Sequence, residues 1–539
     1  MNGCAQGNNG VSRRGFVGGM GAAALAMLSS GLVACGGDSG TGSVGEDGYK
    51  DTLVVAAYGD QDTLDPQINV TNDKVLRLLY SGLLVVQEDG SIAGDLAETY
   101  DMSEDGLTWT FHLKEGVKFA NGEDFTSADV VATFERLLNP DHPLRYTDTV
   151  AFIDKVEATD DYTVVMTMNT TYGAVEDTLA MQCCFIMCKS TLEEFGYDIG
   201  TDPETINGTG PYKVTSWDID EQMTFAVNEN WYLGEPGTPN IIMKVIPEAS
   251  SRAMALENGE VDIVDRPAVD DVERLSSIEG LTLVSEPGYG LQGFQFNCSE
   301  YSKCQDVNVR KAISIAIDRE AIVGSLFKEI GETPTHGPLV PMNRGYVDLG
   351  VPTRDVDAAK QLLAEAGVPD GFEMTIMTFD GYNKGVELAE AIKDQIADAG
   401  IIAEIVTVDS ATFNATLNGL TPEEMKYDMF IMGFGGSSLD PDASLRRICV
   451  TSEDGLNTNN YGWYSNARVD ELLNGAITLV DQEKRMEMYE EAQRIIYTED
   501  PFAVYLNLRN SLFVMAEGVE NFSLNPLQVP CFETIKVKA

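Results

Sequence analysis

The sequence predicts an α/β protein built from two or three lobes. The chain has 539 residues, of which 43% are hydrophobic, and this length is several times the roughly 150 residues of a typical domain. A strand over 372–379 is followed by a helix that ends at Gly400 and by a second strand over 401–408. Two strands joined by a helix form a βαβ unit, which belongs to a parallel sheet. Part of the second half is therefore expected to contain a mostly parallel sheet.

The first half shows the same alternation of short strands and amphipathic helices. Leu53–Ala57 is typical of a buried strand, and residues 69–84 have the apolar spacing of a helix. Residues 109–113 alternate in polarity, which predicts another strand. Thr126–Asp129 matches a capping box at the start of a helix that ends at Asn139, before a proline. Because no long linker follows residue 48, the lobes are expected to be interleaved in sequence.

The chain is strongly acidic. It carries 86 Asp and Glu residues against 36 Lys and Arg residues, which gives a formal net charge of −50. A surface of this charge repels polyanions, which excludes DNA and RNA as partners. The acid excess is also a hint of a cationic ligand. Only 3 histidines are present, which leaves few candidates for a histidine-rich metal centre or a catalytic base.

Residues 1–35 are expected to form an export segment. Ser12–Val17 places paired arginines before a Gly- and Ala-rich apolar run, a pattern similar to a twin-arginine signal peptide. Leu32–Cys35 resembles a lipobox, in which the cysteine becomes a diacylated N-terminus, and two acyl chains are about what stable anchoring needs. Residues 36–48 follow as a flexible tether. The mature protein is expected to be exported and anchored through Cys35 to the outer face of the cytoplasmic membrane.

Seven cysteines remain in the expected mature chain once Cys4 and Cys35 are set aside. An odd number leaves at least one thiol free or paired between chains. Cys298 and Cys304 are close enough in sequence to close a small disulfide loop. The three cysteines within 183–188 lack a CxxC pair and a nearby histidine, so the sequence favours buried or disulfide-bonded cysteines there over a metal site.

A series of sequence blocks resembles one known family. The most specific block is Ser103–Phe119. Shorter blocks occur in the family's order at residues 63–66, 80–84, 95–100, 208–212, 228–232, 256–262, 306–313, 362–367 and 500–501. Together they resemble the family 5 solute-binding proteins of ABC importers, which include peptide- and nickel-binding receptors. The resemblance covers nearly all of the expected mature chain.

This resemblance implies a two-lobed periplasmic-binding-protein type II (cluster C) fold with an extra subdomain in the first lobe. Lobe I would consist of residues 49–84, 206–289 and 507–539, the inserted subdomain of 85–205, and lobe II of 290–506. The crossings between the lobes would form a hinge, for which the candidates are Gly288, Gly290, Gln292, Tyr505 and Asn507. Glycine absorbs large changes in φ and ψ, although a plain turn at Gly288 and Gly290 fits the sequence equally well.

The resemblance also implies where a ligand binds. Peptide receptors of the family hold an extended chain by main-chain hydrogen bonds. The candidate ligand-binding residues lie in two loops and one aromatic segment: Tyr58, Gly59, Asp60 and Gln61; Gly433, Phe434, Gly435, Gly436 and Ser437; and Trp463, which fits a cleft wall or a core position. The family's peptide receptors place an ammonium-binding aspartate three residues after the aromatic of the second loop. Here that position is Ser437.

The implied function is that of a receptor without catalytic residues, cofactor or metal. It would capture a peptide or peptide-like solute between its lobes, act as a monomer, and deliver the solute to the permease and ATPase subunits of an ABC importer. A nickel-chelate or haem receptor of the same family is the alternative. A carboxylate-based secreted hydrolase is a further one, because the supply of Asp and Glu is large, although the sequence shows no GxSxG, HExxH or Walker A motif.

Ser437 generates a prediction about the natural ligand. Loss of a charged partner for the ligand's α-ammonium weakens binding of a free N-terminus by several kcal/mol. Native mass spectrometry of the purified protein should therefore find ligands other than di- or tripeptides with a free α-amine. Recovery of mainly such peptides would contradict this expectation.

Overall fold

A computed structural model describes residues 44–45, 48–69, 73–328, 332–368, 371–379, 382–435, 438–451 and 460–539. The expected export segment with Cys35, most of the expected tether, and the loop residues Gly436 and Ser437 lie outside the described residues.

The described residues contain fourteen α-helices and nineteen strands. The helices are α1 Asp73–Leu79, α2 Ser127–Leu137, α3 Val175–Leu179, α4 Lys189–Phe195, α5 Ala249–Glu257, α6 Val269–Ser276, α7 Val307–Ala316, α8 Arg319–Phe327, α9 Val356–Glu365, α10 Gly385–Ala397, α11 Ser410–Gly419, α12 Pro441–Cys449, α13 Ala467–Ala476 and α14 Gln482–Arg494. The strands are β1 Thr52–Ala57, β2 Leu84–Val86, β3 Ile92–Gly94, β4 Ala97–Met102, β5 Thr108–Leu113, β6 Ile153–Asp160, β7 Thr163–Met168, β8 Tyr212–Asp218, β9 Gln222–Val227, β10 Asn240–Val245, β11 Ile263–Asp265, β12 Leu281–Phe296, β13 Glu332–Pro334, β14 Phe372–Phe379, β15 Ile401–Val408, β16 Met429–Phe434, β17 Ala503–Ala516, β18 Val519–Glu520 and β19 Lys536–Val537. Within this part of the chain, a helix both long and apolar enough to cross a bilayer does not occur.

Eleven of the described strands form one mixed sheet. Their order is β15-β14-β16-β12-β17-β11-β1-β10-β9-β8, and β13 pairs with β17 beside this path. β14 and β15 are parallel from Phe372 to Phe379 and are joined by α10, which confirms the predicted βαβ unit. β1 is parallel to both β10 and β11. Parallel pairing therefore occurs in both halves of the sheet.

The two halves of the sheet are joined by their longest strands. β12 has 16 residues and β17 has 14, and the two pair antiparallel from Leu281 to Gln295. β17 also pairs with β11 of one half, whereas the C-terminal part of β12 pairs with β16 of the other half. The chain therefore crosses between the halves twice, in neighbouring strands.

Each half of the sheet covers an apolar core of its own. Leu53 and Ile241 are completely buried in the first core, and Phe294, Ile376 and Ile392 are completely buried in the second. Burial of one such side chain stabilises the fold by about 1.5–3 kcal/mol relative to exposure. Two separate cores allow the halves to behave as two lobes.

A second, smaller sheet lies apart from the main one. Its four antiparallel strands have the order β4-β5-β7-β6, and α2 packs on it. Phe111, Val130, Phe134 and Val164 are completely buried in a core that this sheet shares with α2. This part of the chain therefore has a hydrophobic core distinct from those of the main sheet.

The predicted capping box is present at the start of α2. The Thr126 amide donates to Asp129 Oδ2 at 2.9 Å. The other oxygen of Asp129, Oδ1, accepts from the Lys189 amide at 2.8 Å, and burial raises the pKa of this carboxyl. One carboxylate thus caps α2 and also holds the first residue of α4.

A buried ion pair attaches the small sheet to the main one. Arg136 of α2 donates from Nη2 to Asp65 Oδ2 at 2.6 Å, and the two side chains are 6% and 0% exposed. Gln67, two residues after Asp65, donates to the Thr133 carbonyl oxygen at 2.9 Å. Because both partners are desolvated, this pair fixes where α2 sits against the loop that follows β1.

The pairing of the two crossing strands has an irregularity at their midpoint. The register shifts between Pro287 and Gly290, so β12 has extra residues there opposite β17. A Cβ on Gly288 would lie well inside 3.0 Å of the Arg509 carbonyl oxygen, whereas a Cβ on Gly290 would meet only Arg509 Cδ at 3.8 Å. Close approach of the β17 backbone therefore requires glycine at 288 and not at 290.

This difference predicts unequal effects of two alanine substitutions. Gly288→Ala should lower the free energy of unfolding by about 1–3 kcal/mol, because the new methyl group forces β17 away. Gly290→Ala should change it by less than about 1 kcal/mol. Urea unfolding of the two variants beside the parent protein provides the measurement. Equal losses in the two variants would contradict the close-approach explanation.

Candidate functional site

A cavity of about 660 Å³ lies beside the midpoint of the crossing strands. Its volume falls within the range of sites for small organic ligands. The lining residues come from both halves of the main sheet and from the region of the small sheet: Lys74, Arg77, Tyr146, Met181, Gln182, residues 265–270, residues 288–290, Glu332, Asn383, Lys384, residues 509–513 and residues 527–529. A solute in this cavity would contact all of these parts at once.

The candidate hinge residues lie at or directly beneath this cavity. Gly288 and Gly290 line it. Gln292 of β12 is paired in register with Asn507 of β17, and Tyr505 lies one step further along the same strand pair. Gln292, Tyr505 and Asn507 are completely buried. The two crossings that the resemblance implies are therefore adjacent in space, on paired strands.

A buried polar network connects the crossing strands to the cavity wall. Asn383 donates from Nδ2 to Gln292 Oε1 at 2.9 Å and to Glu332 Oε1 at 2.6 Å. Asn507 donates to Glu332 Oε2. Gln292 returns a hydrogen bond to the Asn383 carbonyl oxygen at 3.1 Å. The network therefore ties β12, β13, β17 and Asn383, two residues before α10, together.

Glu332 is the titratable group of this network. It is 2% exposed, and burial raises its pKa from 4.5 to about 7. The hydrogen bond from Asn383 and the charges of Arg509 and Lys384 act against this rise. Arg509 Nε lies 3.9 Å from Glu332 Oε1. The phenol of Tyr382 is a further group affected by Glu332, and burial raises its pKa to about 12. Burial therefore shifts the ionisation of this carboxyl in the cavity wall towards neutral pH.

The raised pKa of Glu332 predicts that the free energy of unfolding falls as pH rises. Because the folded state holds this proton more tightly than the unfolded state, stability is full below about pH 4.5 and is lost up to about pH 7, by about 3 kcal/mol in total. Glu332→Gln removes the ionisation. Its melting temperature relative to the parent protein should therefore be higher at about pH 8 than at about pH 5.

Glu194→Gln, at an exposed position of α4, is the matched control and should show no such difference between the two pH values. A pH-independent offset for Glu332→Gln would contradict the assignment of the slope to this carboxyl.

The first candidate loop, Tyr58 to Gln61, lies next to the cavity but does not line it. These four residues surround a small pocket of about 30 Å³, which shares Lys74 and Asp265 with the large cavity. Asp60 accepts hydrogen bonds from Trp217 Nε1 at 3.0 Å and from the Asp220 amide at 2.8 Å. The Asp60 carboxylate is therefore committed to holding β8 in place.

The second candidate loop begins inside a strand. Gly433 and Phe434 are the last residues of β16 and pair with Gln292 and Leu291 of β12. Phe434 is 8% exposed and packs on Tyr505, with ring centroids 4.8 Å apart, so it belongs to the core. Gly435 follows with a φ of 140° and is exposed. Gly433, Phe434 and Gly435 do not line the 660 Å³ cavity.

Trp463 lies at a different surface depression. It borders an open hollow of about 560 Å³ together with residues 298–301 and 421–423. Its backbone has a φ of 52°, and its amide donates to the Asn460 carbonyl oxygen at 3.0 Å. Trp463 therefore does not share the cavity that Gly288 and Gly290 line.

The most prominent side chains of the cavity were not among the sequence candidates. Arg266 follows β11, Lys384 precedes α10, and Arg509 lies in β17. Lys384 Nζ lies 3.6 Å from Asp270 Oδ2, and Lys328 Nζ lies 3.8 Å from Asp270 Oδ1. These residues form no motif, since they are single cations from distant parts of the chain. Only the fold brings them together.

Neither a metal cluster nor a disulfide is found in the described part of the chain. No three His, Cys, Asp or Glu side chains there converge on a metal position. Cys298 and Cys304 are both free thiols, so the disulfide that their spacing allows does not form. Burial raises the pKa of Cys298 to about 12 and that of Cys304 as well. Both are therefore protonated, unreactive thiols near neutral pH.

Comparison with known proteins connects this fold to one family. Residues 91–455 match the family model of the bacterial extracellular solute-binding proteins, family 5. The chain is 31% identical to the glutathione-binding protein GsiB of Salmonella typhi over 456 residues, which cover 84% of this chain and 88% of that protein.

Solved structures agree with this match. The ABC transporter-associated periplasmic binding protein DppA of Helicobacter pylori, in complex with the peptide STSA, is 25% identical with a TM-score of 0.76, and 90% of this chain and 98% of that one are covered. NikZ of Campylobacter jejuni, in complex with Ni(L-His), is 25% identical with a TM-score of 0.74, over 90% of this chain and 97% of that one. The relatives are binding proteins and not enzymes. The chain thus belongs to the family 5 extracellular solute-binding proteins of ABC transporters and has their type II periplasmic-binding-protein fold.

Proposed function

We propose that the protein is a lipid-anchored receptor that captures a peptide or peptide-like solute and delivers it to the permease of an ABC importer. The observation that carries this proposal is the position of the 660 Å³ cavity, beside the midpoint of β12 and β17, where both halves of the sheet contribute walls. A solute bound there is held by both lobes. It therefore favours their closed arrangement over an open one.

Residues 49–84, 206–289 and 507–539 form lobe I in this proposal, residues 85–205 the inserted subdomain, and residues 290–506 lobe II. The hinge is the midpoint of the paired crossing strands, where the register is irregular. Asp270 of lobe I lies 3.6 Å from Lys384 and 3.8 Å from Lys328 of lobe II. Opening the lobes separates these charges, so the pairs contribute modestly to the closed state.

Cavity size supports a ligand of a few residues. A volume of about 660 Å³ suits a compact solute better than a long extended peptide. GsiB relatives bind glutathione, and DppA is solved with a tetrapeptide. Short peptides of this size, with free and with blocked N-termini, are therefore the first ligands to test. The acidic surface keeps such a receptor soluble and away from anionic lipid headgroups.

Export and anchoring complete the proposal. The twin-arginine pattern of Ser12–Val17 and the lipobox at Cys35 support an exported, diacylated receptor on the outer face of the cytoplasmic membrane. Its partners are the solute, the membrane and the permease and ATPase subunits. In this proposal the receptor acts as a monomer and binds one solute per chain.

Ligand binding and lobe closure test the function directly. The purified protein, freed of bound solute by unfolding and refolding, is mixed with glutathione, with free and N-acetylated peptides of two to five residues, and with nickel–histidine. At least one peptide should raise the melting temperature, as expected when ligand at about 100 times Kd adds about 2.7 kcal/mol. The same peptide should reduce the radius of gyration in X-ray scattering and be recovered intact.

Two tryptophan substitutions provide the matched control. Ser511→Trp places a large ring in the cavity and should abolish the response. Thr215→Trp, at an exposed position of the edge strand β8, should preserve it. Closure with nickel–histidine and with none of the peptides would overturn the peptide assignment, and cleavage of a peptide would overturn the assignment as a receptor.

A further inference from the structure

The charge of the cavity is opposite to that of the chain. Its lining contains five basic side chains, Lys74, Arg77, Arg266, Lys384 and Arg509, against three acidic ones, Asp265, Asp270 and Glu332. The whole chain has 36 basic and 86 acidic residues. Basic residues are thus the minority in the sequence and the majority in the cavity. Such a reversal produces a local positive potential inside an otherwise repulsive surface.

Arg266 has no ion-pair partner among the described residues, so its charge is available to a ligand. The described residues place no carboxylate oxygen within 4.0 Å of its guanidinium, which instead lies 4.2 Å above the ring of Tyr58. Its main chain is fixed on both sides, since its amide donates to the Leu512 carbonyl oxygen at 3.0 Å and its carbonyl oxygen accepts from Arg252 at 2.6 Å. The aromatic face and the fixed backbone pre-position the guanidinium.

Arg509 and Lys384 extend the positive region towards lobe II. Arg509 is 40% exposed at its side chain, and its only described acidic neighbour is Glu332 at 3.9 Å, whose pKa is raised to about 7. Lys384 occupies the N-cap position of α10. Its ammonium group is only a donor, so it cannot accept hydrogen bonds from the first amides of that helix. The N-terminus of α10 therefore adds a partial positive charge at the same place.

Unusual backbone conformations also concentrate at this cavity. Seven described residues other than glycine have positive φ, and three of them line it: Arg266 at 51°, Lys384 at 54° and Gln528 at 62°. Gln528 Oε1 is buried without a hydrogen-bond partner among the described atoms. Residues held in this region of φ cost stability and cluster at ligand sites. The cavity thus combines cations with an acceptor, Gln528 Oε1, that receives no hydrogen bond from the described atoms.

From this arrangement we propose that the receptor selects anionic solutes, whose carboxylate binds Arg266 and Arg509 in the cavity. The proposal rests on the proposed function and deepens it by assigning the charge class of the ligand. Guanidinium groups bind carboxylates through paired, charge-assisted hydrogen bonds. Arg266 belongs to lobe I and Lys384 to lobe II, so closure of the lobes brings the two cations closer together. An anion bound between them reduces their mutual repulsion. The ligand charge is therefore opposite to the one that the acidic composition hints at.

Isosteric peptides separate charge from shape. The solute-free protein is titrated by calorimetry with the C-terminal amides of N-acetyl-Ala-Glu-Ala, N-acetyl-Ala-Gln-Ala and N-acetyl-Ala-Lys-Ala, so that only the central side chain carries charge, and with glutathione and its glycine ethyl ester. The Glu peptide should bind about tenfold or more tightly than the Gln peptide, and glutathione more tightly than its ester. The preference should shrink as salt concentration rises, because the interaction is between charges.

Arginine variants test which residues cause the preference for the Glu peptide. Arg266→Gln and Arg509→Gln should each weaken binding of the Glu peptide by about tenfold or more, and leave that of the Gln peptide within about twofold. Arg266→Lys keeps the charge and should restore part of the preference. Arg468→Gln removes an exposed arginine of α13 that pairs with Glu491, and should change neither affinity. Unchanged melting temperatures verify that the variants fold.

The outcomes distinguish the two proposals. Equal affinity for the Glu and Gln peptides, or tighter binding of the Lys peptide, overturns the anionic selection while the receptor function stands. An anion preference that survives both Arg266→Gln and Arg509→Gln overturns the assigned residues. Failure of every probe to bind removes the receptor function, and the anionic selection with it.

Discussion

β12 and β17 pair antiparallel across both halves of the main sheet, and the walls of the cavity are positioned relative to this pair. The register places Gly290 opposite Arg509 at the cavity and Gln292 opposite Asn507 beneath it. Side chains alternate between the faces of a strand, so a slip of one residue would turn Arg509 away from the cavity. The irregularity at Gly288 therefore affects more than local pairing, because it sets which side chains face the cavity.

Buried charges fix the other parts relative to this strand pair. Arg136 and Asp65 join the small sheet to the loop after β1, and Arg485 of α14 pairs with Asp440 at the N-terminus of α12. Replacing such pairs by apolar residues often costs no stability, so their main contribution is to specify one arrangement. Asp440 is 1% exposed and engaged by Arg485, so its carboxylate is not available to an ammonium group of a ligand.

Local patterns in the sequence predicted local structure well. The βαβ unit over 372–408 and the capping box at Thr126 follow from residues close in sequence, and both are present. The cavity could not be predicted from such local patterns. Arg266, Lys384 and Arg509 are separated by more than a hundred residues along the chain, and a positive φ cannot be inferred from an arginine or a lysine. The side chain of Phe434 packs in the core, and the expectation that the main chain of this loop contacts a ligand stays a prediction.

The net charge of the chain does not determine the charge of the cavity. A net charge of −50 is an average over the surface, and its field is screened within about 8 Å in physiological salt. Inside a cavity with low-dielectric walls, the nearest few charges dominate the potential. Arg266 lies over Tyr58 with no described carboxylate beside it, so its charge is not cancelled by the acidic exterior. An acidic receptor can therefore bind an anion, provided that the lobes enclose it against their few cations.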